Sequence, residues 1–79
     1  MRLWELRKKK GFTQKELAET LHISPMSVYF WEKGITYPRR EKIKRLANIF
    51  ECSQQEILNV LEETEMYNRS RSFADKEKV

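Results

Sequence analysis

A chain of 79 residues is long enough for one small domain, and its single cysteine, Cys52, excludes an intrachain disulfide and makes the reducing cytoplasm the expected compartment. The net charge of +4 is distributed unevenly: residues 1–50 hold 12 Lys and Arg against five Glu, whereas residues 51–79 hold four against seven acidic residues. No apolar stretch approaches the roughly 18 residues of a membrane helix and no hydrophobic segment follows Met1, so the sequence predicts neither a membrane-spanning nor a secreted protein.

The first part of the chain predicts two short helices. Helix 1 covers about residues 2–10, with Leu3 and Leu6 inward, and ends at Gly11, the expected left-handed stop. Helix 2 opens on Thr13 as N-cap, and Glu16 three residues later completes a capping box. The apolar residues at helical spacing that form its buried stripe are Leu17, Ala18 and Leu21.

A tight break at residues 22–23 separates helix 2 from a third helix, about residues 25–33. Ser24 is the predicted N-cap, and Pro25 occupies the first helical position, where its missing N–H is not needed. The residues of helix 3 that face the core are Val28 and Trp31. Two short helices joined in this way have the layout of a helix-turn-helix, whose second helix is suited to enter the major groove of DNA.

Two further helices and a tail complete the predicted fold. Helix 4 covers about residues 39–50, and helix 5 begins with a second capping box made by Ser53 and Glu56. No run of alternating apolar residues indicates a strand, so the prediction is a compact all-α domain over residues 1–61. Residues 62–79 are highly charged with few apolar side chains, which predicts a charged C-terminal tail, flexible or partly helical.

Four motifs span most of the chain: LxxLRxxxGFTQ at 3–14, ELAxxL at 16–21, ISxxxVxxWExG at 23–34, and IxxLAxxF followed by SxxEIL in helices 4 and 5. As a set they are highly specific. On these motifs the chain resembles the Cro and lambda-repressor-like helix-turn-helix family, often labelled XRE. The resemblance implies a five-helix lambda-repressor-like fold and a repressor-like transcriptional regulator that binds double-stranded DNA, with a homodimer as the expected form.

The resemblance also implies roles for individual residues. Gln14 would touch a DNA phosphate and brace the recognition helix, while Arg7 and Glu32 would form a structural ion pair linking helix 1 to the end of helix 3. The positions on or beside the outward face of helix 3 that would contact base edges and the flanking backbone are Ser24, Pro25, Met26, Ser27, Tyr29 and Phe30.

A basic cluster lies at the start of helix 4 and consists of Arg39, Arg40 and Lys42. Cations there oppose the helix dipole, so their presence makes sense if a phosphate binds to the free N–H groups and the arginines together. We therefore predict phosphate contact, with a merely solvated surface as the alternative. The residues of the preceding loop that extend the same surface are Lys33, Thr36 and Tyr37.

The sequence leaves other functions open. Pro25, Met26 and Phe30 have no side-chain donor, so the outward face of helix 3 could read thymine methyl groups, or it could bind a protein. The rivals are therefore a protein-binding helix-turn-helix module (an antirepressor, antitoxin or polymerase adaptor), which would have a regulatory protein partner, and a nonspecific nucleoid protein. For the dimer surface, the candidate is helix 5 with Leu61, Met66 and Tyr67.

Catalysis is not expected. The lone His22 has no cysteine or second histidine at metal-ligand spacing, and the chain has neither a glycine-rich phosphate loop nor a nucleophile motif. The sequence thus predicts no metal and no cofactor. Trp4 is expected to pack more readily than to stack on bases, and Cys52 to pack as a small hydrophobic residue.

Overall fold

The computed structural model describes the backbone of residues 1–77 and the side chains of residues 1–68. The chain forms five helices: α1 (Leu3–Lys9), α2 (Gln14–Leu21), α3 (Pro25–Glu32), α4 (Arg40–Ile49) and α5 (Gln54–Glu77). The all-α prediction is confirmed, and the boundaries of the first four helices differ from the expected ones by one residue at most because the outermost residues act as caps. Within this described part, no helix is long and apolar enough to cross a membrane.

Local capping explains where α2 and α5 begin. Thr13 Oγ1 accepts a hydrogen bond from the Glu16 N–H at 3.0 Å, and the Thr13 N–H donates to Glu16 Oε1 at 3.0 Å. Ser53 and Glu56 repeat this reciprocal pair at the start of α5. Ser24 occupies the N-cap position of α3, but its side chain makes no cap bond and lies 3.3 Å from the hydroxyl of Ser27.

The turn between α2 and α3 depends on His22. This residue adopts the left-handed conformation, with φ 59° and ψ 44°, which histidine tolerates better than most side chains. The His22 N–H donates to Glu19 O at 3.2 Å, and the Ile23 N–H donates to Ala18 O at 3.0 Å. These two bonds form a Schellman motif, which ends α2 and sends the chain directly into α3.

All five helices contribute to one hydrophobic core. Phe50, at the end of α4, is fully buried, and the ring of Phe12 meets it edge-on with 5.8 Å between ring centroids. The buried apolar residues are Leu3, Leu6, Leu17, Ala18, Leu21, Val28, Trp31, Ile43, Leu46, Ala47, Phe50, Ile57 and Leu61. The stripes predicted from helical spacing therefore point inward, and the remaining face of α3 is left outside.

α5 continues without a break through residue 61, the end of the predicted domain, to Glu77. Thr64 is buried; its hydroxyl oxygen accepts the Leu3 N–H at 2.8 Å and donates to Val60 O at 2.8 Å. The tail is therefore helical over its described residues, and its first turns pack on the five-helix body. A domain boundary after residue 61 stays a prediction. Of the three residues of the candidate dimer surface, Leu61 is buried in the core and was wrongly included, whereas Met66 is 60% and Tyr67 44% exposed.

Candidate nucleic-acid interface

The third helix presents one face to solvent and the other to the core. Val28 and Trp31 are buried, whereas Met26 is 53% exposed and Tyr29 37% exposed. Pro25 is also exposed at the first helical position, and it leaves no N–H to satisfy there. α3 is thus a short rod whose inner side is fixed and whose outer side is free to contact a partner.

A buried ion pair fixes the C-terminal end of α3. Arg7 Nε donates to Glu32 Oε2 at 2.5 Å and Arg7 Nη2 to Glu32 Oε1 at 3.3 Å, well within the range in which pairing is strong. Arg7 Nη1 also donates to Phe12 O at 2.8 Å. Both charged side chains are therefore compensated although they are almost inaccessible to solvent.

Gln14 joins this network from the first turn of α2. Its Nε2 donates to Glu32 Oε1 at 2.9 Å, so the side chain braces the recognition helix through the same carboxylate that Arg7 binds. A primary amide carries two N–H donors, so one donor is left for a further acceptor. This geometry suits the predicted phosphate contact of Gln14, which stays a prediction.

The start of α4 combines positive charge with an uncapped helix terminus. Arg39 is the N-cap residue, and no side chain caps the helix there. Arg39 and Arg40 are both exposed, and Lys42 is half-buried. Uncapped N–H groups and two exposed arginines therefore occur at the same helix terminus, as a phosphate site requires.

The loop between α3 and α4 divides the predicted residues into two environments. Lys33, Thr36 and Tyr37 are all exposed, Tyr37 at 50%, but their charged neighbours differ. Tyr37 lies nearer α5, where burial and then the carboxylates of Glu65 and Glu62 raise the pKa of its phenol. Because two carboxylates would repel a phosphate, this position suits DNA contact less well than the start of α4.

Two further positions on the recognition helix are only partly accessible. Phe30 is half-buried, and its ring centroid lies 5.9 Å from that of Tyr29. Ser27 is also half-buried, with its hydroxyl beside that of Ser24. Because Tyr29 and Phe30 are adjacent, at least one of the two rings was expected to be exposed. Tyr29 is the exposed one.

The sequence did not predict the role of Arg45 of α4, which supports the helix-turn-helix by binding the end of α2. Its Nη1 donates to Leu21 O at 3.1 Å and its Nη2 to Thr20 O at 3.2 Å, at the end of α2. A guanidinium suits carbonyl groups at the negative end of a helix. Its position within a basic helix gave no signal that separated it from solvent-exposed neighbours.

Reactive groups are sparse around this surface. Cys52 is a free thiol, half-buried between α4 and α5, and burial, followed by the nearby Glu56, raises its pKa. Among the side chains that the structure describes, no group of three His, Cys, Asp or Glu residues could hold a metal ion.

Comparison with known proteins agrees with the motifs. The sequence model of the helix-turn-helix family matches residues 5–57. The HTH-type transcriptional activator BcrR of Enterococcus faecalis is 38% identical over 74 residues, which cover 87% of this chain and 35% of that protein. The HTH-type transcriptional regulator ImmR of Bacillus subtilis (strain 168) is 32% identical over 81 residues, which cover 96% of this chain and 64% of that protein.

The chain therefore belongs to the helix-turn-helix family, and the resemblance identified from the motifs is confirmed. It spans about a third of the length of the first relative and just under two thirds of the second. No solved structure shows a significant match.

Proposed function

We propose that this chain is a DNA-binding transcriptional regulator without enzymatic activity that inserts α3 into the major groove of double-stranded DNA. The observation that carries the proposal is the division of α3 into a braced inner face and an exposed outer face, beside an uncapped and basic start of α4. Both curated relatives are named as transcriptional regulators, which supports the same role. The motifs are repressor-like, whereas the relative from Enterococcus faecalis is named an activator, so the scaffold fits either direction of control.

The outward side chains define the kind of contact expected. Pro25 and Met26 offer apolar surface for thymine methyl groups, while Ser27 and the Tyr29 hydroxyl offer hydrogen bonds. The cations on either side of α3 hold the DNA backbone and fix the register of the protein. The residues proposed to contact DNA are Gln14, Ser24, Pro25, Met26, Ser27, Tyr29, Phe30, Lys33, Thr36, Arg39, Arg40 and Lys42, with Tyr37 at the margin.

We further propose that the regulator acts in the cytoplasm as a homodimer. A single module reaches only a few base pairs, whereas a dimer spans two half-sites about 10 bp apart. Exposed apolar side chains on α5, Leu58 at 36% and Met66 at 60%, support a dimer surface there. Sedimentation of the free protein and of its DNA complex tests this part, since a monomer in both would contradict it.

The main experiment measures DNA affinity against salt concentration, using a duplex selected from a random pool. Binding to duplex DNA lowers log affinity by about 0.9 per neutralised phosphate for each unit of log salt. The double variant Arg39→Gln, Arg40→Gln should bind more weakly. The slope of log affinity against log salt should become less steep by the amount that corresponds to one or two lost phosphate contacts. Circular dichroism checks that the variant is folded.

A matched control loses the same charge elsewhere. Lys9 and Lys10 are exposed at the end of α1. Lys10 lies close enough to Cys52 for its charge to offset part of the rise in the pKa of that thiol, and Cys52 follows the end of α4 opposite to Arg40. Lys9→Gln with Lys10→Gln should keep the wild-type slope. An absence of DNA binding by the wild type, or equal losses in both double variants, would contradict the proposal.

A second candidate function is a protein-binding module on the same scaffold. The observation that favours it is the exposure of Met26, which with Pro25 gives the start of α3 an apolar outer surface. Met26→Gln should weaken binding to selected DNA if this position meets thymine methyl groups. If neither Met26→Gln nor the Arg39→Gln, Arg40→Gln double variant changes the DNA affinity, the result would favour the protein-binding function.

A further inference from the structure

A groove lies between the outer side of α1 and the C-terminal part of α3. Its walls are formed by Trp4 and Lys8 of α1 on one side and by Tyr29 and Lys33 on the other, and Gln14 lies within it. We propose that this groove binds a phosphate group of the DNA backbone, so that α1 is a second anchoring element through Lys8 and Trp4. This inference rests on the proposed function and adds residues outside the DNA-contacting set given above.

The charge balance of the groove favours an anion. Its floor is the Arg7–Glu32 pair, in which the Glu32 carboxylate accepts three hydrogen bonds and is neutralised by the guanidinium. Lys8 and Lys33 are both exposed, and neither forms an ion pair with any side chain that the structure describes. The two ammonium groups are therefore an uncompensated charge of two at the mouth of the groove.

The aromatic walls position these ammonium groups. Lys8 Nζ lies 5.8 Å from the centroid of the Trp4 ring, and Lys33 Nζ lies 5.8 Å from that of Tyr29. Cation–π contacts of this kind restrict the long lysine side chains and orient them along the ring faces. The indole N–H and the phenol O–H supply further donors for phosphate oxygens, and both rings are 37% exposed.

The groove is continuous with the proposed DNA surface. Gln14 and Tyr29 belong to both, since Gln14 braces the end of α3 and Tyr29 lies on its outward face. A DNA strand that passes α3 beside Gln14 would therefore meet α1 next. This continuity commits the groove to the phosphodiester backbone of duplex DNA.

The test compares two lysines that are neighbours on one helix. Lys8→Gln removes a charge from the groove, whereas Lys9→Gln removes the same charge from the same last turn of α1 but outside the groove. With selected duplex DNA, Lys8→Gln should lower the slope of log affinity against log salt by about 0.9, the value for one phosphate. Lys9→Gln should leave the slope unchanged.

A second measurement reports on Trp4, which forms one wall of the groove. Trp31 is buried, so the exposed Trp4 should account for most quenching of tryptophan fluorescence by neutral acrylamide. DNA should protect the wild type from this quenching, and the protection should be lost in Trp4→Phe, which keeps a ring in place. Circular dichroism checks that Lys8→Gln, Lys9→Gln and Trp4→Phe are all folded.

The outcomes separate this inference from the function on which it rests. One outcome would overturn the inference about the groove alone. In that case the Arg39→Gln, Arg40→Gln double variant still weakens salt-dependent binding, but Lys8→Gln and Lys9→Gln give equal slopes and DNA does not protect Trp4. A wild-type protein that binds no duplex DNA would overturn both. A selective effect of Lys8→Gln with protection of Trp4 supports both.

Discussion

The side-chain amide of Asn68 donates a hydrogen bond to the main-chain carbonyl of Glu32 at 3.1 Å, across 36 residues of sequence. The same nitrogen donates to Thr64 O at 3.0 Å within α5. Glu32 is the last residue of α3, and its carbonyl is one of those that a helix cannot satisfy internally. α5 therefore caps the end of the helix that we propose to enter DNA.

Removing this cap should destabilise the domain. Asn68→Ala deletes the hydrogen bond to Glu32, which should lower the free energy of unfolding by about 1 kcal/mol. For a domain of this size that corresponds to a fall in Tm of about 4–8 °C, measured by circular dichroism. Asn59→Ala is the matched control, because Asn59 is exposed on the same helix and bonds only to Gln55 among the described contacts. Equal effects of the two substitutions would argue against a cap.

The Arg7–Glu32 pair should be costly to break from one side. Arg7→Met leaves a nearly inaccessible carboxylate whose remaining partner is Gln14, and such a change typically costs about 3–5 kcal/mol. Adding Glu32→Gln removes the stranded charge and should recover a large part of that loss. Urea denaturation of the single and double variants measures both steps. A double variant that is less stable than Arg7→Met would show that the carboxylate acts independently of the guanidinium.

Glu51 should be improved by glycine. It links α4 to α5 with φ 55°, a left-handed conformation that strains a residue with a Cβ atom by about 1–2 kcal/mol. Glycine removes this strain, but it also makes the unfolded chain more flexible, which offsets part of the effect. Glu51→Gly should therefore raise the free energy of unfolding by about 1 kcal/mol. Glu51→Ala keeps the Cβ atom and should give no comparable gain in thermal unfolding. Stabilisation by alanine as large as that by glycine would point to the charge and not the backbone.

Acid should weaken the start of α2. Hydrogen bonds with Thr13, first its backbone N–H and then its side chain, lower the pKa of Glu16 below the ordinary value of 4.5. Because the folded state holds the proton less tightly than the unfolded state, the stabilisation is complete above pH 4.5 and is lost as the pH falls through the lower folded-state pKa. Glu16→Gln should therefore reduce the fall in urea midpoint on acidification, whereas Glu19→Gln, on the same helix without a capping bond, should not. Identical acid profiles for Glu16→Gln and the wild type would contradict this account.

Features with a short sequence range were predictable. The Thr13–Glu16 capping box spans three residues, so its two hydrogen bonds follow from local geometry alone. The tight break at residues 22–23 was also predictable, and the structure adds that His22 ends α2 in the left-handed conformation. The buried stripes followed from helical periodicity, and the same periodicity indicated which side of α3 faces outward.

Contacts between polar residues far apart in sequence were not predictable. Leu3 and Thr64 are 61 residues apart, and Thr64 lies in a stretch so polar that it indicated a solvated tail. Arg45 and Asn68 act on carbonyl groups, whose need for a partner depends on where helices end in space. The groove walls at Trp4 and Lys8 were likewise hidden, because helix 1 alone does not reveal which neighbour it meets. The Arg7–Glu32 pair was expected only because the family resemblance supplied it.

The residues that hold α3 and the residues that α3 displays are two separate sets. Glu32 gathers bonds from three other helices through its carboxylate and its carbonyl, whereas Met26 and Tyr29 point away from all of that support. Substitutions on the exposed face of α3 should therefore leave the position and orientation of this helix in the domain unchanged. The scaffold is consequently a candidate for retargeting: a library randomised at the outward positions alone could yield binders for new base sequences without redesign of the fold.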